Sequence, residues 1–424
     1  MNLDKFEVVF INEDQTCATF KFYNEDHTLA NVLRSQVLEN KNVDFCGYSI
    51  PHPSEDYFQL QIQTKNGLNV YDALMKMGQK KYPITEQIYA RTPMIESIPL
   101  QEYSAGRKVF LKLENCQPSG SFKLRGISKL CRYAKAQGFT ELVCASGGNA
   151  GLATAFTAMQ LGLSACIVAT RGISPDICET IKSYGATVEI SGDSLEEAKN
   201  QALCIISNSS RSFLIHPFDN PLLWEGHSTM VDEIAYDLGP VAPSLIVTCC
   251  GGGGLICGIV QGLQRYNWQD STKILSMETV GTHSLNACVK AGGKKVRLDK
   301  ITSIVTCLSA TEVCDQIVKD FNESRPPILS RLVTDHEAVD ACVQFANDHR
   351  MVVGPACGTA LAALYRGFVE RILNNDQEEH EAIYDKVNNL DFCHNSDGPI
   401  VVIVCGGCEI TFDQLNDLRK EFNC

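Results

Sequence analysis

Between residues 88 and 424, short apolar runs rich in β-branched residues alternate with segments of helical periodicity. This alternation predicts a parallel β-sheet architecture with helices on both faces. Glycine-rich turns follow several of the runs, at the strand ends where open α/β sheets bind ligands. The predicted strands are VFLKL (109–113), LVCAS (142–146), ACIVAT (165–170), ATVEI (186–190), SLIVTCC (244–250), KILSMET (273–279) and IVVIVCG (400–406).

The N-terminal fifth of the chain has a different pattern, that of a small α+β domain. Two apolar runs, 6–11 and 17–22, predict paired strands, and apolar residues alternate with glutamines over 58–63 as in a strand with one buried face. Helices are predicted to begin near Asp26 and to span 70–77. So small a sheet exposes an apolar face unless a partner covers it.

One uncharged segment, 243–264, is long enough to resemble a membrane span. Its four consecutive glycines, 251–254, disfavour a continuous helix, so we predict a strand, a loop and a helix within a buried sheet. Met1 is followed by Asn, Leu, Asp and Lys rather than by the apolar core of a secretory signal. We therefore expect a cytoplasmic chain with no membrane association.

Charge and cysteine content limit the range of possible functions and cellular compartments further. The net charge of −13 argues against direct electrostatic contact with nucleic acid or with anionic membranes. The 20 cysteines are scattered through apolar segments, as expected for buried thiols in a reducing compartment. Cys405 and Cys408 have the CxxC spacing, but neither the helix start of a redox pair nor two further zinc ligands accompany them. No role is predicted for Cys408.

Three motifs carry candidate chemistry, and each alone has an ordinary structural explanation. Lys123 in PSGSFKLRG (118–126) is either an exposed lysine or a Schiff-base lysine at the mouth of a pocket. CASGGNAG (144–151) is either a tight strand-to-helix turn or a set of N–H groups that bind a carboxylate or phosphate. GGGGL (251–255) is either a flexible turn or a phosphate-binding nest. Together the motifs predict pyridoxal 5′-phosphate, a phosphorylated cofactor that condenses with a lysine.

Further motifs run along this part of the chain: ENCQPSGSFKLRG (114–126), PFDNPLLWEGH (217–227), GGGGLICGIVQGLQ (251–264), METVGTHS (277–284), PACGTALAALY (355–365) and VVIVCGG (401–407). On these motifs, residues 88–424 resemble the L-serine dehydratase/L-threonine deaminase family of fold-type II pyridoxal-phosphate enzymes. The resemblance implies two open parallel-sheet subdomains, as in the tryptophan synthase beta chain, and a homodimer. It also implies an ammonia-lyase that converts L-serine to pyruvate and L-threonine to 2-oxobutyrate by β-elimination.

The family implies roles for individual residues. Lys123 would form the Schiff base with the cofactor and later remove the substrate Cα proton, and Phe122 would back the cofactor ring. Asn149 would hydrogen-bond the cofactor's 3′-oxygen. The residues that would line the substrate carboxylate site are Ser146, Gly147, Gly148, Asn149 and Ala150. The residues that would hold the phosphate are Gly251, Gly252, Gly253, Gly254 and Leu255.

The resemblance also places Cys405 opposite the pyridine nitrogen of the cofactor. A neutral thiol there would leave the nitrogen largely unprotonated, which favours β-elimination over transamination. Glu278, with main-chain oxygens near Thr282, Leu308 and Ala310, matches a potassium site of the family. The alternative is that Glu278 is a strand-end acid in a salt bridge.

One departure from the family concerns the residue before PACG. Relatives commonly have an acidic residue there, whereas this chain has Gly354. An acid near the cofactor face tunes hydration and protonation, so its absence bears on activity and on substrate preference.

Residues 1–85 resemble the small subunit shared by RNA polymerases I and III, on the motifs NEDHTLANVLRSQVL (24–38) and VDFCGYSIPHPSEDYFQLQIQT (43–64). The resemblance implies a dimerisation domain that pairs with a larger alpha-like subunit, and a nuclear location if this domain is functional. A second hypothesis is therefore a polymerase subunit or assembly protein with a vestigial lyase domain. A third is that two genes were joined in error across the linker 78–92.

Overall fold

The chain divides into two units, Met1–Glu86 and Gln87–Cys424, in a computed structural model. The structure describes residues 6–23, 30, 33–34, 37–38, 40, 42–51, 57–75, 87–374 and 397–424. Each unit has its own hydrophobic core.

The elements of the first unit are β1 (Phe6–Ile11), β2 (Cys17–Tyr23), β3 (Val43–Ser49), β4 (Tyr57–Thr64) and α1 (Val70–Met75). The strands form an antiparallel sheet in the order β1-β2-β4-β3. Phe58, Leu60 and Ile62 are fully buried along β4, which confirms the predicted strand with one buried face. The helix predicted from Asp26 lies largely outside the described residues.

The pattern of apolar residues does not predict β3, and the structure explains why. The register against β4 shifts between Val43 and Phe45, so buried and exposed positions along β3 do not alternate regularly. A bulge of this kind removes the period of two on which strand prediction depends.

The second unit contains two sheets. Its strands are β5 (Met94–Glu96), β6 (Val109–Leu113), β7 (Glu141–Cys144), β8 (Ser164–Ala169), β9 (Thr187–Ile190), β10 (Ser212–Leu214), β11 (Leu245–Cys249), β12 (Lys273–Thr279), β13 (Ile328–Val333) and β14 (Ile400–Val404). One sheet has the order β10-β7-β8-β9 and is entirely parallel. The other has the order β13-β12-β11-β14-β6-β5 and is parallel except for β5 at its edge. The predicted α/β architecture with two open sheets is therefore confirmed.

Helices connect these strands. They are α2 (Ile98–Gln101), α3 (Lys123–Ala136), α4 (Asn149–Leu161), α5 (Pro175–Ser183), α6 (Leu195–Ser207), α7 (Pro221–Leu238), α8 (Gly254–Arg265), α9 (Ser284–Lys290), α10 (Asp315–Glu323), α11 (Asp335–His349), α12 (Pro355–Tyr365), α13 (Phe368–Leu373) and α14 (Phe412–Phe422), with 3₁₀ turns at Glu114–Cys116 and Thr306–Leu308. The uncharged segment is β11, a glycine loop and α8, as predicted. No helix in the described parts of the chain is long and apolar enough to cross a membrane.

All seven strands predicted in this unit are observed, but β5, β10 and β13 were not predicted. β5 and β10 have three residues each, too few to show a period. In β13 the apolar run is interrupted by Ser330 and Arg331, which are adjacent. β11 and β14 are apolar apart from Thr248 and are buried along their whole length.

A buried ion cluster supports α3. The Arg125 guanidinium, which is fully buried, donates to both carboxylate oxygens of Glu114 at 2.7 Å and to Glu233 at 2.7 and 2.8 Å. Lys112 also donates to Glu233, at 2.6 Å. The cluster joins α3 to α7 and to the end of β6, and so holds the start of α3 in place.

Candidate active site

Lys123 begins α3, directly after a loop that is hydrogen-bonded to the residues at the end of β14. The backbone N–H of Phe122 donates to the carbonyl oxygen of Cys405 at 2.9 Å. Ser121 forms an isolated antiparallel bridge with Gly406. Main-chain hydrogen bonds therefore hold the lysine next to the residues that follow the C-terminal strand.

The Lys123 side chain is partly buried. Its Nζ donates to the carbonyl oxygen of Pro217 at 2.5 Å and lies 5.2 Å from the centre of the Phe122 ring. Burial lowers the pKa of the Lys123 ammonium, and this effect outweighs the opposite effect of the neighbouring thiols. An amine that loses its proton readily is suited to condense with an aldehyde.

Phe218 shapes the glycine loop between β11 and α8. A Cβ atom on Gly252 would lie 2.2 Å from the Phe218 ring, and one on Gly254 would lie 2.4 Å from the Phe218 carbonyl oxygen. Gly253 has a φ of +91°, a conformation that favours glycine. On the other side, the N–H of Cys314 donates to the carbonyl oxygen of Gly252 at 3.0 Å. These contacts order a loop that four glycines would otherwise leave flexible.

The glycine loop and Lys123 belong to one site, because Pro217 and Phe218 are adjacent in the chain. Pro217 accepts the hydrogen bond from Lys123, and Phe218 packs against the loop. No side chain caps the N-terminus of α8, so the N–H groups of its first turn, including that of Leu255, lack partners within the helix. Such a terminus is suited to bind phosphate.

Asn149 begins α4, and Gly148 precedes it without a side-chain cap. The first N–H groups of this helix, including that of Ala150, therefore lack partners within the helix. A Cβ atom on Gly148 would meet no atom within 4 Å. The open space next to a helix N-terminus is consistent with the predicted substrate carboxylate site at 146–150.

Three thiols, those of Cys249, Cys357 and Cys405, lie together at the end of β14. The Cys405 Sγ lies 3.1 Å from that of Cys357 and 3.6 Å from that of Cys249. The hydrogen bond from Cys249 favours the Cys405 thiolate, but the contact with Cys357 and burial disfavour it more, so the pKa of Cys405 lies well above its usual value. The thiol is therefore neutral, as the interpretation of Cys405 as ring-nitrogen partner requires.

Sequence reasoning missed three residues that surround the Asn149 side chain. Its amide nitrogen lies 3.5 Å from the Cys307 Sγ and 3.4 Å from a carboxylate oxygen of Glu409, and its amide oxygen lies 3.5 Å from the Cys408 Sγ. Cys307 lies in the 3₁₀ turn Thr306–Leu308, in a segment with no recognisable motif. Cys408 and Glu409 follow a glycine pair directly, and that position after a strand was the available signal.

Glu278 is fully buried at the end of β12. Its two carboxylate oxygens accept the backbone N–H groups of Leu285 and Asn286, at 2.9 and 2.7 Å. Burial raises the pKa of Glu278 to about 8. Glu278 lies near the end of β12, and no basic side chain contributes to the shift of its pKa, so the described residues give no support to the salt-bridge alternative.

The other predicted cation ligands lie on either side of α9. Thr282 precedes it, and Leu308 and Ala310 lie at the end of the 3₁₀ turn Thr306–Leu308 and just after it. Among the described residues, no group of three or more His, Cys, Asp or Glu side chains is placed to hold a metal ion. Glu278 therefore offers a buried carboxyl group that has no neighbouring cationic side chain among the described residues.

The residues fit pyridoxal 5′-phosphate group by group. Lys123 offers an amine of lowered pKa for the aldehyde, the glycine loop and the N-terminus of α8 offer N–H groups for the phosphate, and Cys405 offers a neutral thiol for the ring nitrogen. The fold and this site define a fold-type II pyridoxal-phosphate enzyme.

Comparison with known proteins agrees with this class. The family model described as pyridoxal-phosphate dependent enzyme matches residues 85–378. The L-serine dehydratase/L-threonine deaminase of Mus musculus is 42% identical over 336 residues, which cover 79% of this chain and 96% of that protein. The human protein of the same name is 41% identical with the same coverage. The chain belongs to the L-serine dehydratase/L-threonine deaminase family of pyridoxal-phosphate-dependent enzymes.

Solved structures show the same fold. The L-serine ammonia-lyase of the fungus Rhizomucor miehei has a TM-score of 0.69 and 31% identity, and the match covers 79% of this chain and 99% of that one. Maize serine racemase, at 24% identity and a TM-score of 0.66, shows the fold alone. The first unit has a separate relationship, since residues 17–87 match the family model of the RNA polymerase Rpb3/Rpb11 dimerisation domain.

Proposed function

We propose that the chain is a pyridoxal-phosphate-dependent ammonia-lyase that converts L-serine to pyruvate and ammonia, and L-threonine to 2-oxobutyrate and ammonia. The observation that carries this proposal is the path of contacts from Lys123 through Pro217 and Phe218 to the glycine loop. This path joins an amine suited to hold an aldehyde to a loop suited to hold a phosphate. The cofactor would supply an electron sink for the negative charge that develops at the substrate Cα.

The protein would contribute binding, orientation and proton transfer. The N-terminus of α4, with the turn 146–148, would bind the substrate carboxylate and so point the Cα–H bond at Lys123. The Nζ of Lys123, in its unprotonated form, would accept the Cα proton. The neutral Cys405 thiol would not protonate the cofactor's ring nitrogen. Loss of the substrate's β-hydroxyl would therefore be favoured over transamination.

The test is to purify the full chain with pyridoxal phosphate and to measure pyruvate from L-serine and 2-oxobutyrate from L-threonine. We expect both products, together with the visible absorption of a lysine-bound cofactor. A colourless protein that binds no pyridoxal phosphate and forms neither product would contradict the proposal. The polymerase-type alternative, with a vestigial lyase unit, would then be preferred.

Potassium would occupy the site of Glu278. The support is a fully buried carboxylate whose oxygens meet two backbone N–H groups and no cationic side chain of the described residues. We expect potassium chloride to raise the Tm by about 2–4 °C over tetramethylammonium chloride at equal ionic strength. The Glu278→Gln variant should lose this difference. An equal Tm of the wild type in both salts would exclude the cation.

Pairing with other chains would involve both units. The second unit would form a homodimer, and residues 1–85 would bind an alpha-like polymerase subunit. Support for the latter is the Rpb3/Rpb11-type match together with the half-exposed Phe10 and Phe45 of the first sheet. Light scattering of the purified chain gives its mass in solution and so tests for the homodimer. Co-purification from native tissue tests for the alpha-like polymerase subunit. A monomeric chain would contradict the homodimer, and absence of an alpha-like subunit from the co-purified proteins would contradict the second proposal.

A further inference from the structure

Glu409 places a carboxylate next to Asn149. One carboxylate oxygen lies 3.4 Å from the Asn149 amide nitrogen, and the other lies 3.5 Å from the Cys307 Sγ. Glu409 has no salt bridge to any described residue. A charge without a counter-ion therefore lies next to the residue predicted to contact the cofactor's 3′-oxygen.

The Glu409 carboxyl fills the space next to Gly354. A Cβ atom on Gly354 would lie 2.3 Å from Glu409 Oε1 and 3.0 Å from its carboxyl carbon, and the three nearest atoms to it all belong to Glu409. The backbone of Gly354 has a φ of −75°, which any residue adopts. The Glu409 side chain, and not the backbone conformation, therefore leaves no room for a side chain at position 354.

The neighbours of Asn149 also fix the direction of its amide. The amide oxygen accepts from the Cys408 thiol, and the amide nitrogen donates to Glu409. A primary amide has two N–H groups, and the second lies near the Cys307 Sγ, at 3.5 Å. Sulfur is a weak acceptor, so an oxygen of the cofactor would compete well for this N–H group. A rotation by 180° would set the amide oxygen against the Glu409 carboxylate. This repulsion is what fixes the direction, since the Cys408 thiol also has the Ser119 carbonyl oxygen as an acceptor at 3.4 Å.

We propose that Glu409 is the positioning carboxylate of this active site, and that its carboxyl group occupies the space that a side chain at position 354 would need. It orients Asn149 so that an N–H group faces the cofactor's 3′-oxygen, and it supplies negative charge at the same face from the segment between β14 and α14. The inference rests on the proposed function for its substrate, but not for its cofactor-binding consequences.

The proposal has a spectroscopic consequence. A nearby negative charge favours the protonated form of a titrating group, so Glu409 raises the pKa of the bound cofactor's chromophore. The isosteric Glu409→Gln variant removes the charge and keeps the shape. We expect the pH midpoint of the cofactor's absorption change to fall by about one pH unit in this variant.

A relocation of the carboxylate provides the main test. The variants are Glu409→Ala, Gly354→Glu and the double variant that carries both substitutions. Glu409→Ala should lower kcat/KM for L-serine about 10- to 100-fold, as loss of supporting hydrogen-bond partners does at other sites. Gly354→Glu should also impair the protein, because it forces two carboxyl groups into one space. The double variant should recover to within about threefold of the wild type in cofactor Kd, and to within about half a pH unit in the absorption midpoint.

A matched control is Glu421→Gln, the same chemical change on an exposed acid of α14 that lines the same cleft of about 340 Å³ as Glu409. It has no described contact with Asn149 or Cys307, so its absorption midpoint and kcat/KM should equal those of the wild type. A shift of the midpoint equal to that of Glu409→Gln would overturn the proposal, since the effect would then be general electrostatics.

The proposal is also overturned if the double variant is no better than the worse single variant, or if Glu409→Gln keeps the wild-type midpoint. Failure of the proposed function looks different. If the wild type binds pyridoxal phosphate but forms no pyruvate, only the lyase activity is contradicted, and the cofactor Kd and the absorption midpoints still complete the comparison of the four proteins. A wild type that binds no pyridoxal phosphate overturns both proposals.

Discussion

Replacement of Lys123 by alanine is expected to lower pyruvate formation from L-serine by at least about 10⁴-fold. The structure gives this lysine two tasks that no neighbouring group shares: its Nζ is held by Pro217 at the site, and its lowered pKa makes the free amine available. Alanine removes both the covalent attachment of the cofactor and the acceptor of the Cα proton. The measurement is pyruvate release under saturating pyridoxal phosphate, by the wild type and by Lys123→Ala.

Borohydride reduction separates attachment from catalysis. Reduced wild-type protein should carry the cofactor on the peptide that contains Lys123, and Lys123→Ala should carry none. Lys129→Ala is the control, because Lys129 lies on the same helix but is more than one-third exposed and pairs with Glu225. Equal rates for wild type and Lys123→Ala, or label on another lysine, would defeat this assignment.

The second large effect is expected from Gly252→Ala. The added methyl group would meet the Phe218 ring at 2.2 Å, so either the ring or the loop must move. Movement of the loop disturbs the N–H groups that would face the phosphate, and movement of the ring disturbs the segment that also holds Lys123. We expect pyridoxal phosphate to bind about 10- to 100-fold more weakly, which corresponds to about 1–3 kcal/mol of overpacking.

Comparison with pyridoxal, which lacks the phosphate, sharpens this test. If the loop binds phosphate, Gly252→Ala should weaken pyridoxal phosphate far more than pyridoxal. Gly172→Ala is the matched control, because a Cβ atom there would meet nothing within 4 Å and its φ is not positive. Equal weakening of both ligands would mean that the loop has a structural role only.

The fold was predictable to a large extent because the strands of the second unit carry their own signal. β6 and β12 have the predicted bounds, 109–113 and 273–279, because turn-forming residues flank each run on both sides. β13 was missed because Ser330 and Arg331 interrupt it, and β3 was missed because a register shift removes its alternation. In each case the pairing with a neighbouring strand, rather than local composition, makes the segment a strand.

The local motifs around Lys123, Asn149 and the four glycines are determined by sequence alone, because each motif is a short turn whose chemistry follows from adjacent residues. The surroundings of Asn149 are different: Cys307 and Glu409 are separated from it by 158 and 260 positions in the chain. Periodicity shows which face of a strand is buried, but it does not show which loops meet at the strand ends. Only the packing of the two sheets brings Glu409 to Asn149 and fills the space next to Gly354, and so reveals a carboxylate where the sequence shows a glycine.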